Sequence, residues 1–425
     1  DLPPLNAKQA TGLSVYANAG KVSITGNTVA GNSDFDIWIQ TGKEFTITDN
    51  IVGLATEVEE PTIKGILLSN VVDATIGGIN KGNTIGHHSE EGILVLGAAL
   101  RTKIIGNRIG TNPAGGAPRP NAIGIALFPV DDDVAVETEI SDNIIASSTV
   151  VGVYLNGANP TVVRDNRIGI GSGGTHLPNR IGLKIENTKT SVIHNTIAYN
   201  SYLGVEIAES NSEDTPVLME SNSIFNNGDA GTNEDRGIFY TSPPTVNRLV
   251  VATKFDPVTG RETHFFAVPA FELATGVTIE VFANSNLTNP QGETPLFRLP
   301  MTDGEDFFHR LDIDSGSELA GSSGFRATAT YGGVSTSQFF PVTKQFGFEE
   351  PELTFLPSAP GFVKLGWPSD PNFKLQTKEK LNQSWVDVAE PVVTQGNLDT
   401  VTVPLSDAES VFFQLSIDVE AMLSE

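Results

Sequence analysis

The sequence has no cysteine among its 425 residues, which excludes disulfides, thiolate metal centres and a cysteine nucleophile. That absence fits a reducing compartment or a bacterial exported protein equally well. Basic residues are scarce: 26 Lys and Arg stand against 51 Asp and Glu, for a formal net charge of -25. So acidic a surface repels nucleic-acid phosphates and anionic lipid heads, and neither is expected as a partner. No apolar run approaches the ~20 residues a membrane span needs. No basic-then-apolar start marks a signal peptide either, so Asp1 reads as a mature or trimmed start. Helical periodicity is almost missing; only the acidic tail from Glu420 to Glu425 suggests a short helix. What the chain has instead is 42 Gly and 25 Pro with many Asn, the composition of an all-β protein with frequent turns.

One motif recurs through the first half: an apolar residue, two variable residues, Asn, one variable residue, then Ile or Val. Its asparagines are Asn27, Asn50, Asn83, Asn107, Asn143, Asn166, Asn195 and Asn222, and only around Asn83 is the leading apolar residue displaced. A second motif follows each copy, as in Gly65-Ile66-Leu67-Leu68, Gly92-Ile93-Leu94-Val95 and Gly152-Val153-Tyr154-Leu155, with Asp36 in place of Gly in the first copy. Successive asparagines lie 23, 33, 24, 36, 23, 29 and 27 residues apart, the length of one coil of a parallel β-helix. The gap from Asn to the following Gly position alternates between short and long, so the unit is a pair of coils with a long turn on every second one. Alternating Ile-x-Leu pairs place two apolar side chains on one face of each strand, and stacked coils bury them in a column. The asparagines are expected as a structural stack at the bend between strands, bonding neighbouring backbone, tolerating the left-handed conformation, and able to bond one another as an amide ladder.

The Asn motif stops before Thr241-Ser242-Pro243-Pro244. The expected organisation is therefore a right-handed parallel β-helix of about eight to nine coils over 1–240, followed by two small antiparallel β-sandwich domains. The first, over 241–345, has long alternating strands such as Val277–Phe282 and a hairpin from Phe325 to Phe340. The second, over 346–425, contains shorter strands.

Residues Ile109-Gly110-Thr111 through Gly115 and Asn121 to Gly124-Ile125, and again Ile168-Gly169 through Gly173-Gly174, Asn179 and Gly182-Leu183, carry a resemblance. They resemble a family of exported bacterial β-helix proteins whose repeats read IGT, a Gly-containing turn, N, GI. In that family an immunoglobulin-like β-sandwich often follows the helix. Phe362 to Trp367, Trp385 and Phe412-Phe413 are similar to terminal modules of secreted proteins from aquatic bacteria. The resemblance implies a pectin-lyase-like fold and an extracellular setting; it does not imply pectin cleavage, because fold and function separate easily.

Glycan hydrolysis needs converging carboxylates, and elimination needs a Lys or Arg base, commonly beside a calcium-binding carboxylate cluster. Calcium is the one cofactor suggested. Its candidate ligands are Asp131 and Asp133 in the densest carboxylate run, and Asp229 and Asp235 in a Gly-containing turn, although a solvated loop and an ordinary exposed turn are the readings preferred for the two segments. His87-His88 with Glu90-Glu91 is expected as a solvated turn, with metal binding or acid-base work as its alternative. Arg101, Lys103, Arg108, Arg164 and Arg167 form a basic stripe if coils stack in register, with surface ion pairing as the bland alternative. No Ser-His-Asp order, phosphate-cradling loop or nucleotide fingerprint is present. Without a recognisable catalytic motif, the expected function is a non-catalytic bacterial protein of the extracellular space or cell surface. It would be structural, adhesive or self-assembling into filaments through its helix ends and β-sandwich modules, because uncovered terminal coils must be capped or joined. Its partners would then be itself, other cell-surface proteins or a polysaccharide. The alternatives are a polysaccharide lyase or glycoside hydrolase, and a phage-type glycan-binding spike.

Overall fold

The computed structural model describes residues 9–16, 20–53, 61–130, 135–208, 217–228, 237–240, 249–256, 259, 261–270, 276–285, 291–302, 305–313, 317, 324–331, 335–337, 339–348, 351–370, 372–379, 383–404 and 411–423. The chain forms a right-handed parallel β-helix followed by antiparallel sheets. Three parallel sheets, of nine, eight and eight strands, run along the helix; each of the first eight coils contributes one strand to each, and the last strand, Ile238–Tyr240, extends the nine-stranded sheet alone. The long sheet begins with Thr11–Tyr16, Phe35–Lys43 and Lys64–Val72 and ends with Leu203–Ile207 and Ile238–Tyr240. The second sheet runs from Val22–Thr25 to Val217–Glu220, and the third from Thr28–Val29 to Ser223–Phe225.

The motifs account for this geometry. Ile37, Ile66, Ile93, Ile125, Val153, Leu183 and Val205 stack in register on the inner face of the long sheet, and all are fully buried. Ile47, Ile76, Ile104, Ile140, Val163 and Val192 do the same from the second sheet. Each buried aliphatic side chain contributes roughly 1.5–3 kcal/mol, so a column repeated on every coil suffices without disulfides. The long turns stack on one another across the intervening coil, with the Ser172 amide donating to the Gly115 carbonyl at 2.8 Å. This contact gives the two-coil period a physical basis.

The asparagines of the motif form a continuous ladder. The amide of Asn107 and its Nδ2 both donate to Oδ1 of Asn143, at 2.9 and 3.1 Å, and Asn143 repeats the pattern on Asn166 at 3.0 and 2.9 Å. The second Nδ2 hydrogen of Asn143 goes to the Ile104 carbonyl at 2.8 Å. The left-handed residue is the one before the Asn, as at Asp49, Gly106, Asp142, Asp165, His194 and Ser221, so the Asn itself is there for its amide. We expect Asn143→Ala to destabilise the protein by about 2–3 kcal/mol, since it orphans several buried donors and an acceptor. Chemical denaturation measures this, and a loss below about 0.5 kcal/mol would mean that the ladder is incidental.

Two compact units divide the chain: residues 1–246, 274–301 and 321–341 form the first, and residues 247–273, 302–320 and 342–425 the second. Within the first, the antiparallel strands Thr278–Asn284, Thr294–Pro300 and Gly324–Tyr331 close the last coil. Phe282 and Phe339 join the helix core, and their rings meet edge to face at 5.1 Å. Within the second, Leu249–Asp256 pairs antiparallel with Arg261–Val268 and parallel with Phe340–Phe348. A short helix, Val419–Leu423, packs Met422 and Leu423 against Val250 and Ala267. Trp367, Leu375 and Val401 form the core of the C-terminal strands.

Candidate functional site

Residues two places after each Gly-type position point outward from the long sheet. In register they are Trp38, Leu67, Leu94, Ala126, Tyr154, Lys184, Glu206 and Phe239. The first half of this column is apolar. Leu67, Leu94 and Ala126 are buried among Phe35, Trp38, Leu96, Ile123 and Phe128. Beyond it come the charged Lys184 and Glu206 and then Phe239, and the two halves meet at Tyr154, whose ring packs edge to face on Phe128 at 5.0 Å.

Around that boundary four polar groups converge from three successive coils. The Tyr154 hydroxyl donates to Oε2 of Glu186 at 2.5 Å. Lys184 Nζ lies 2.9 Å from Glu186 and 3.5 Å from Glu206, and 5.2 Å from the Tyr154 ring centroid. Partial burial, then the hydrogen bond to Glu186, pushes the Tyr154 phenol up to about 12. Partial burial alone would raise Glu186, but the hydrogen bonds from Tyr154 and Lys184 hold it below the ordinary carboxylate value. Burial would likewise lower Lys184, but Glu186 and Glu206 keep it raised. The arrangement is suited to hydrogen bonding: carboxylates accept from hydroxyls, the ammonium donates, and the aromatic shelf takes an apolar face.

The candidate calcium ligands Asp131, Asp133, Asp229 and Asp235 lie outside the described residues. His88 is not in a solvated turn. It opens the strand His88–Leu96, its side chain is fully buried, and Nε2 lies 2.9 Å from Oδ2 of Asp36. The physical reason is the Asp that stands for Gly at position 36: its carboxylate reaches the imidazole, whereas the glycines of other coils, such as Gly92 and Gly152, pack tightly against an Asn amide and the next coil's carbonyl. The basic residues do not form one stripe. Arg101 and Arg164 face the second sheet and pair with Asp73 and with Glu139 and Asp165. Arg108 and Arg167 belong to the third sheet. Lys184, Glu186 and Glu206 were not singled out from the sequence, although counting two residues on from Gly152, Gly182 and Gly204 finds Tyr154, Lys184 and Glu206.

A second polar ladder, at the bend leading into the long sheet, was also missed. Asn179 Nδ2 donates to Oδ1 of Asn200, Asn200 to Asn227, and Asn227 to Oε1 of Gln291, at 3.0, 2.8 and 3.0 Å. Gln291 thus caps the end of the ladder. Its signal is an Asn three or four residues before the Gly of the next strand, as at Asn179 and Asn200.

Residues 131–255 match the family described as "Periplasmic copper-binding protein (NosD)". Among solved structures the chain is similar to the enzymatically active domain of tailspike protein 2 of bacteriophage CBA120, at 8% identity over 85% of this chain and 70% of that one, with a TM-score of 0.35. It is also similar to tailspike protein gp49 of Acinetobacter baumannii bacteriophage Fri1, a capsular polysaccharide depolymerase, at 7% identity over 75% and 71% of the two chains, with a TM-score of 0.22. Likenesses at these scores carry no argument about chemistry. The family match over part of the helix, taken with the three parallel sheets, makes this chain a right-handed parallel β-helix protein with trailing antiparallel β-modules.

Proposed function

We propose that this protein is a non-catalytic, adhesive β-helix of the bacterial exterior or periplasm that binds polysaccharide along the outer face of its long sheet. The observation that carries this reading is the Tyr154, Lys184, Glu186 and Glu206 cluster, set where an apolar shelf meets a charged surface. Shelf and cluster together offer a sugar ring both an apolar face and hydroxyl partners. A net charge of -25 disfavours polyanions and favours neutral or amino-bearing glycans. A setting outside the cytoplasm is supported by the name of the matched family. Among the described residues no helix is long and apolar enough to cross a membrane. Among the described residues no three His, Cys, Asp or Glu side chains cluster. Filament growth through the C-terminal end of the helix would have to displace the Gln291 cap, whereas adhesion through the sheet face leaves it in place.

The test is retention on immobilised neutral, amino-bearing and uronic polysaccharides. We expect a neutral or amino-bearing glycan to be retained, and Tyr154→Ala or Glu206→Gln to weaken binding about tenfold, near 1.4 kcal/mol, with the melting temperature tracked alongside. Release of shortened oligosaccharides would replace this reading with an enzymatic one, and retention unchanged in both variants would move the site elsewhere.

A further inference from the structure

The second bend of one coil carries an insertion that builds a separate cleft. In the regular copies the inward apolar residue of the second sheet precedes the ladder Asn by three positions, as Ile104 precedes Asn107, but Ile76 precedes Asn83 by seven. The extra residues form a turn that projects outward and leaves Ile79 76% exposed. Beside it opens a cleft of about 520 Å³ lined by Asp49, Ile79, Gly82, Gly106, Arg108 and Asp142, among others. The ridge of residues preceding each ladder Asn reads Asp49, Gly82, Gly106, Asp142 on successive coils, so two consecutive glycines leave a notch between two carboxylates. These glycines are required by packing: a Cβ on Gly82 would lie 1.8 Å from the Gly106 carbonyl oxygen.

Arg108 stands at the side of this notch. Its strand neighbours in register are Thr84 and Ile144, which carry no charge. Its Nε is buried and has no hydrogen-bond partner, in contrast to the paired Arg101 and Arg164. With strands about 4.8 Å apart, Asp49 and Asp142 are separated by roughly 14 Å along the ridge, and Arg108 belongs to a coil between them.

We propose that this cleft binds a saccharide bearing a single carboxylate. The guanidinium of Arg108 takes the carboxylate in its planar fork, Ile79 covers an apolar face, and Asp49 and Asp142 accept ring hydroxyls on either side. The same two carboxylates refuse a polyuronate, whose next charges would fall against them. This site is independent of the cluster on the long sheet.

Titration calorimetry on the full chain with glucuronic acid, glucose and polygalacturonate tests it. Glucuronic acid should bind at about millimolar concentration, at least tenfold more tightly than glucose, with polygalacturonate not binding at this site. Arg108→Gln should weaken glucuronic acid at least tenfold, and Arg108→Lys, which keeps the charge and loses the fork, should fall between. Repeating the titrations in a Tyr154→Ala background removes the long-sheet site, so that the remaining heats report the cleft. Absence of glucuronic acid binding, equal affinity for glucose, or unaltered affinity in a folded Arg108→Gln protein would overturn the proposal.

Discussion

Asp36→Ala is expected to destabilise the protein by about 3–5 kcal/mol, the cost of removing one partner from a fully buried, hydrogen-bonded pair. Asp36 Oδ1 accepts from Asn32 Nδ2 at 2.7 Å and from the Thr62 hydroxyl at 3.1 Å, and Oδ2 faces His88 Nε2 at 2.9 Å. The other ring nitrogen of His88 faces Oδ1 of Asn121 at 2.9 Å, and the His88 backbone amide donates to that same oxygen at 3.1 Å. An amide hydrogen fixes the Asn121 atom as oxygen, so Nδ1 and Nε2 of His88 face oxygens on either side. Gly65 makes the geometry possible, since a Cβ there would lie 2.8 Å from Cε1 of His88. His88→Asn alone should be destabilising because the Asp36 carboxylate loses its partner. The double variant Asp36→Gly, His88→Asn restores what other coils carry and should recover most of the loss. The coupling between the sites, read by denaturant unfolding of the four proteins, should exceed about 1.5 kcal/mol. Strictly additive effects would mean that the contact contributes nothing of its own.

The second large effect is a dependence on pH. Glu280, 4% exposed, accepts from the Ser221 amide at 2.7 Å where the antiparallel strands close the last coil. Burial raises its carboxyl to about 7, against the opposing pull of the Ser221 hydrogen bond and of Arg298. A carboxyl whose folded pKa is raised holds its proton more tightly in the folded than in the unfolded protein. The resulting stability is fully present below the unfolded value near 4.5 and is lost as pH rises through about 7. On linkage grounds the loss is on the order of 3 kcal/mol. Glu280→Gln keeps the acceptor for Ser221 and removes the charge, so the difference between its stability and that of the parent should grow from near zero at about pH 4.5 to its full size above about pH 8. A constant difference across that range would rule out Glu280 as the titrating group.

His88 shows what periodicity conceals. Adjacent histidines beside two glutamates look like a solvated turn, and the clue to burial is Asp36, which replaces Gly a full 52 residues earlier. Tyr154, Lys184 and Glu206 were more accessible, because each lies two residues after a motif glycine, yet nothing local says that Glu186 would turn back to bond Tyr154. The cleft beside Arg108 follows from the one displaced copy of the Asn motif. The displacement was visible, but its consequence depended on where the extra residues project.

By itself, the sequence determined the coil. The inward column is written in apolar residues at alternate positions, the bends in Asn and Gly, and the coil length in their spacing, because each is a local requirement of a strand that must be half buried. Only the tertiary structure decided which outward residues meet. Coils differ in length from 23 to 36 residues, so neighbours on the surface have no constant separation along the chain. The closure of the last coil by Gln291, Phe282 and Glu280 lies beyond any repeat. Those contacts form between a coil end and a distant hairpin, where burial and hydrogen-bond satisfaction, rather than periodicity, select the partners.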